Sequence, residues 1–299
     1  MYFRGMLTDR RKKSILYPNL CGLAGALGAC HALEGWALIT AQGLTKRYGD
    51  VLAVDNVDLQ VNAGEIFGFL GPNGAGKTTT INMLIGITSP TSGAVRLGGV
   101  DVAREPERAK SIVGYVPDQP NVYEKLTAWE FLMFVANLYG MDRERAEHRA
   151  GQLLEMFELS DRAREQTGGF SHGMRQKVVI AAALLHEPKI LFMDEPTVGL
   201  DPRSARMVKD ILRELAHEGV TVFMTTHVLE IAERMCDRIG IIQKGKLLTV
   251  GTMDDLRAAA AAKGAGAGAE GAAGATLEDL FLELTGGADY AEVSRYLEG

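Results

Sequence analysis

Cysteine is scarce. The 299 residues hold three, Cys21, Cys30 and Cys236, far apart and never in a C-x-x-C pair. That excludes a disulfide framework and a cysteine zinc site, and it fits a reducing compartment. The six histidines show no metal-ligand spacing. Long apolar runs are also missing. The longest core-like run, residues 178–185, falls well short of the roughly 20 residues a spanning helix needs. It reads as a buried helix, so any membrane role has to come through a partner chain. Positive charge is not in excess: Lys and Arg total 32 against 38 Asp and Glu, for a net charge of −6. A general nucleic-acid binder is usually basic, so no nucleic-acid partner is expected. A hydrophobic share of 46% and a charged share of 23% are ordinary for a globular chain of one or two domains.

Against that background one segment stands out, Gly71-Pro72-Asn73-Gly74-Ala75-Gly76-Lys77-Thr78, with Thr79 behind it. It fits the phosphate-cradling pattern G-x-x-x-x-G-K-[ST]. Residues 65–70 before it read as a buried strand and residues 76–85 as a helix. Glycines let the backbone turn tightly and aim several N–H groups at one place, and the helix N-terminus adds partial positive charge there. Lys77 is placed to reach the β- and γ-phosphates of a nucleotide, and the Thr78 hydroxyl to bind Mg²⁺.

The rest of the chain alternates strands and helices. Residues 39–61 read as short strands broken at Tyr48-Gly49-Asp50 and at Asp55-Asn56. A turn at 89–93 leads to a strand at 94–97, and 112–116 is another strand. Between 127 and 168 the pattern turns helical, with Phe131, Phe134, Val135 and Leu138 at i, i+3, i+4 and i+7. A second helix is expected over 143–158. Strands at 190–193 and 220–224 flank a helix over 202–218, started by Asp201-Pro202 and stopped by Gly219. Residues 239–250 read as a hairpin turning at Lys244-Gly245. This alternation predicts an α/β fold with a mostly parallel sheet. Residues 258–275, rich in Ala and Gly, read as a flexible linker. Thr276-Leu277-Glu278-Asp279 has a capping-box pattern that opens a final helix. No internal repeat is visible.

Three further constellations belong with the phosphate loop. The apolar strand 190–193 ends in Asp194-Glu195, at the carboxyl edge where ligands bind in open α/β sheets. Asp194 is placed to face Mg²⁺ and Glu195 an attacking water. Ser171 and Gly173 precede the helix 175–185, where a hydroxyl, free N–H groups and the dipole form either a second anion site or an ordinary N-cap. His227 follows Thr225-Thr226 at the same sheet edge as Asp194, within reach of a γ-phosphate.

The order of these segments resembles the ATP-binding subunit of an ABC transporter over roughly residues 38–250. The resemblance implies a P-loop NTPase core with an antiparallel β subdomain and a helical insertion subdomain at about 127–170. It implies that Tyr48 stacks on adenine, that residues 71–78 are Walker A, and that Asp194-Glu195 is Walker B with its catalytic carboxylate. Gly199-Leu200-Asp201 matches the D-loop, with Asp201 counted among the nucleotide-binding residues, and His227 matches the switch histidine. Ser171-His172-Gly173-Met174 stands where the family usually has Ser-Gly-Gly-Gln, so the phosphate-facing Ser and Gly are kept. The family's Q-loop glutamine falls on Asp118, with Gln119 one residue late; a carboxylate there can still serve Mg²⁺.

Residues 115–131, the signature segment and the tail resemble ATPases that serve ABC-2-type permeases, which mostly export. The implied partners are a second copy of the chain, arranged head to tail over two ATP molecules, and a separate integral-membrane permease. The implied location is the cytoplasmic face of the membrane, held peripherally. The alternative is a soluble ABC-type ATPase acting on ribosomes or DNA. Translation-factor relatives carry two cassettes, though, and DNA-repair relatives carry coiled-coil or zinc inserts. The ATPase domain is expected over 38–257, the linker over 258–275 and a helical tail over 276–299. Residues 1–37 contain Arg10-Arg11-Lys12-Lys13, an apolar stretch at 20–33 and Leu27-Gly28-Ala29-Cys30. These resemble a signal peptide, but an ATPase has to stay with its ATP, so a disordered extension is expected.

Overall fold

The computed structural model of the chain describes residues 37–263 and 276–285. The expectations for residues 1–36 and for most of the linker and tail lie outside these. At the centre is β3 (Ile66–Leu70), whose five residues are all buried. A strand buried on both faces reads as a continuous apolar run, as here. It pairs in parallel with β8 (Thr221–Thr226) and β9 (Arg238–Gln243). β7 (Ile190–Asp194) pairs in parallel with β8 and with β6 (Val113–Val116), while β10 (Lys246–Gly251) is antiparallel to β9. The order is β10-β9-β3-β8-β7-β6. Phe67, Phe69, Phe192 and Phe223 meet under the sheet, with Phe223 centroids 5.4–5.5 Å from the other three.

A second, antiparallel sheet has the order β2-β1-β4-β5, from β1 (Ala37–Tyr48), β2 (Val51–Asn62), β4 (Ser92–Leu97) and β5 (Val100–Asp101). The expected break at Tyr48-Gly49-Asp50 is its hairpin turn. The expected break at Asp55-Asn56 is not an end: β2 runs through it as an irregularity in the pairing. Asn56 takes a left-handed φ of 49°, and its N–H donates to Thr45 Oγ1 at 3.1 Å. A turn-forming residue is absorbed here by a side-chain bond from the neighbouring strand.

The helices are α1 (Lys77–Leu84), α2 (Pro106–Lys110), α3 (Ala128–Leu138), α4 (Arg143–Met156), α5 (His172–Leu184), α6 (Pro202–His217), α7 (Leu229–Met235), α8 (Met253–Lys263) and α9 (Leu277–Thr285). The run 178–184 is buried within α5, as its length suggested. α3 and α4 form the helical insertion. Thr127 opens α3 with a capping box: its Oγ1 accepts from Glu130 N at 3.1 Å, and Glu130 Oε2 accepts from Thr127 N at 2.9 Å. Thr127→Ala is expected to lower stability by about 1 kcal/mol, read as a lower urea midpoint at unchanged m-value.

The insertion shares a buried apolar cluster with the core sheet, and an aromatic contact adds to that join. Tyr139, the C-cap of α3, stacks on His186 with centroids 3.6 Å apart and planes at 13°. Both reach the Val113 carbonyl, which accepts from Tyr139 Oη at 3.3 Å and lies 3.0 Å from His186 Nε2. Burial pushes the His186 ring down from its ordinary 6.5 to about 4, against the opposing pull of that carbonyl. Between pH 7 and pH 5 the unfolded chain takes up a proton here that the folded chain refuses. This residue therefore costs the fold about 2 kcal/mol over that interval. His186→Phe should remove that part of the acid sensitivity. Equal slopes of stability against pH in both proteins would refute this.

The linker expected at 258–275 begins later than its composition suggests, because α8 continues through residue 263. Alanine is the best helix former, and Leu256 and Ala260 are buried against Leu277, Leu280 and Leu284 of α9. The capping box of α9 is present: Thr276 N and Oγ1 donate to Asp279 Oδ2 at 2.9 and 2.7 Å, and Asp279 N donates to Thr276 Oγ1 at 3.3 Å.

A candidate phosphate-binding cleft

Six residues, 71–76, separate β3 from α1, and they make the loop that the sequence singled out. Gly74 and Gly76 have φ of 77° and 108°. A Cβ on Gly76 would lie 2.6 Å from the Ala53 carbonyl, so only glycine fits. Ala75 N donates to Pro72 O at 3.1 Å and closes the loop on itself. The buried Gly71 and Ala75 shape the loop from behind. A cleft of about 260 Å³ lies over it. Pro72, Asn73, Gly74, Gly76, Lys77, Thr78 and Thr79 line one side, and Asp118, Asp194 and Glu195 line the other. Ala53 of β2 completes the wall, so the second sheet contributes to the same cleft.

The Lys77 ammonium is largely buried and donates to Gly71 O at 2.6 Å and Pro72 O at 3.2 Å. Burial lowers its pKa from the ordinary 10.5, while the charges of Glu195 and Asp194 oppose that shift. Thr78 Oγ1 donates to Asp194 Oδ2 at 2.9 Å. The other Asp194 oxygen accepts from Thr225 Oγ1. Asp194 thus ties the start of α1 to the end of β8. Glu195 has a left-handed φ of 53°, and its N–H donates to Thr225 Oγ1 at 3.1 Å. Its Oε1 lies 2.9 Å from His227 Nδ1, and its Oε2 accepts from His227 N at 3.3 Å. Thr78, Asp194 and Asp118 offer an oxygen-only donor set, the kind a hard divalent cation takes.

Asp118, not Gln119, is the residue of the 117–120 turn that lines the cleft. Gln119 Nε2 lies 3.4 Å from Asp118 Oδ2, beside it on the outside. Two residues escaped the sequence reading. Thr225 fixes both acidic residues; its place before His227 at a strand end was the available signal. Tyr115 lies close under the acids. Burial first, then the charges of Asp194 and Asp118, push its hydroxyl up to about 12.

The remaining candidates stand away from the cleft lining. Tyr48 is half exposed at the β1–β2 turn, with Lys46 Nζ 4.9 Å from its ring centroid. Ser171 is the N-cap of α5, and its Oγ accepts from Met174 N at 3.3 Å. Gly173 follows in the first turn of that helix. The Asp201 carboxylate caps α6, accepting from Arg203 N and Ser204 N at 3.0 Å each and from Ser204 Oγ at 2.6 Å. Within this chain it therefore acts on helix α6 and does not line the cleft.

A protein-family model described as ABC transporter matches residues 54–198. The linearmycin resistance ATP-binding protein LnrL of Bacillus subtilis (strain 168) is 42% identical over 219 residues, covering 73% of this chain and 70% of that protein. Among solved structures, an ATP-binding subunit of an ABC transporter matches with TM-score 0.76 and 35% identity, covering 83% of this chain and 99% of its own. A dimeric ATP-binding cassette in a post-hydrolysis state bound to ADP and Pi matches with TM-score 0.67 and 28% identity, covering 72% and 98%.

Proposed function

This chain belongs to the ATP-binding proteins of ABC transporters, which are ATPases, and we propose that it powers export through a separate membrane permease by closing as a homodimer over two ATP molecules. One observation carries the chemistry: the adjacent acids at the end of β7 divide their partners. Asp194 is bonded to the P-loop hydroxyl Thr78, and Glu195 to His227. One carboxylate faces the phosphates and the other is held free of them to orient water.

The loop amides of 73–78 and the Lys77 ammonium hold the β- and γ-phosphates. Lys77 gives up its two loop carbonyls to do so. Bound Mg²⁺ would offset phosphate charge, and Thr78, Asp194 and Asp118 are the residues that would hold it. Glu195 polarises the water for in-line attack on the γ-phosphorus and takes its proton, and His227 fixes the carboxylate's orientation. Tyr48 stacks on the adenine. Ser171 and Gly173 of the second copy seal the γ-phosphate with the N-terminus of α5. Phosphoryl transfer is catalysed mostly by positioning and charge stabilisation, which suits a site built from fixed amides and paired acids.

No helix among the described residues is long and apolar enough to cross a membrane. In this reading the chain docks on its permease from the cytoplasmic side. The docking surface is the loop from Asp118 into α3. Of the aromatics there, Phe131 is buried in the insertion and Trp129 is half-buried beneath Arg164. Phe134 is exposed and meets the exposed Tyr123 edge-on, with centroids 5.4 Å apart. The resistance named for the Bacillus relative fits outward movement of a toxic compound. Phe134→Asp is expected to abolish co-sedimentation with membranes holding the permease while leaving the ATPase rate of the isolated chain unchanged. Retained membrane association would count against this surface.

A further inference from the structure

We propose that His172 is a positioning residue that locks the signature helix to the D-loop of the same protomer, so that sealing one ATP site sets the catalytic loop of the other. The proposal rests on the reading that ATP is enclosed between two copies. The segment 196–200 leaves Glu195 and ends at α6. Its first end is pinned by Glu195 N on Thr225, and its far end by the Asp201 cap. Between them, Gly199 sits at φ 73°, and a Cβ there would lie 2.7 Å from His172 Cδ2 and 2.8 Å from His172 Nε2. The imidazole therefore rests directly on the glycine's open face. The next residues along repeat the contact, since a Cβ on Gly173 would stand 3.5 Å from Leu200 Cδ2.

Two consecutive signature residues are seated on two consecutive loop residues. The family's usual glycine at position 172 could not make the first contact, because it has no side chain. His172 is the first residue of α5, directly after Ser171. Any shift of that helix tip on meeting the partner's γ-phosphate is transmitted through the imidazole to the loop that begins at this protomer's own Glu195.

The test is a double-mutant cycle on the full chain, reading kcat, the single-protomer ATP Kd and the Hill coefficient of hydrolysis. Gly199→Ala carries its own backbone strain, which the cycle cancels. The contact predicts that Gly199→Ala lowers kcat about tenfold more in the native background than in His172→Gly, with ATP Kd unchanged. It also predicts that His172→Gly lowers the Hill coefficient from about 2 towards 1. His172→Gln, with a planar side chain of similar reach, should restore it. If Gly199→Ala does not fold, the three Hill coefficients decide. Equal factors in both backgrounds, or equal Hill coefficients in native, Gly and Gln proteins, overturn the inference. ATP-dependent dimers seen by sedimentation in that same experiment would leave the reading of function standing. Failure of the native chain to dimerise in ATP would overturn both.

Discussion

Glu195→Gln is expected to slow ATP turnover by about 10²–10⁴-fold, the range a positioned general base supplies, while ATP binding and dimer closure persist. The geometry argues for so clean a separation. Glu195 is held by its own N–H on Thr225 and by two contacts with His227. A glutamine keeps the shape and can still accept from the His227 amide. It loses only the negative charge that takes the water's proton. Asp194, the acid bonded to Thr78, is untouched, so the phosphate side of the cleft stays assembled. The measurement is steady-state phosphate release beside nucleotide affinity on the same protein. An unchanged rate would remove Glu195 from the chemistry. A lost affinity would show that the two acids do not divide their work as their hydrogen bonds imply.

Lys77→Ala acts on the other half of the site and should weaken nucleotide binding itself. Its ammonium is the cleft's own cation in the P-loop, held 2.6 and 3.2 Å from the loop carbonyls it would leave for phosphate. A hydrogen bond to a charged group contributes roughly 1.5–3 kcal/mol, so ATP affinity should fall by about ten- to a hundredfold. The fold should survive. Gly74, Gly76 and the Ala75–Pro72 bond set the loop's course without the lysine, and Ala75 O also accepts from Gly245 N. Isothermal titration with ATP, beside a thermal melt of the apoprotein, separates the two effects. Native affinity in a folded variant would contradict the phosphate assignment of the loop.

Much of this site was legible in the sequence because its parts are local. A strand, a glycine loop and a helix N-terminus are contiguous over 66–84, and each residue type there has one physical reason to be present. The acids at 194–195 were legible for the same reason: the apolar run 190–193 of that strand has a carboxyl end, and they stand on it. The parts that were not legible depend on distant neighbours. Asp118 and Gln119 are adjacent and both polar. Which of them faces the cleft is decided by how the 117–120 turn lies over β7. Thr225 looks like any strand residue until Asp194, 31 positions earlier, is brought beside it.

Two misreadings have the same source. Asp55-Asn56 has turn chemistry, but the Thr45 hydroxyl on the neighbouring strand satisfies the backbone and the strand continues. The alanines after 257 have linker composition, but the buried face of α9 gives their helix something to pack against. The contact of His172 with Gly199 belongs with these, since 27 positions separate two residues whose types alone say nothing of each other.

The central claim is that each ATP is gripped by one copy and closed over by another. It is tested most directly by specific ATPase activity over a dilution series, with sedimentation in ATP at each concentration. The account predicts that activity per protomer climbs with concentration in step with the dimer fraction and then levels off. Full activity per protomer at dilutions where only single chains sediment would contradict it.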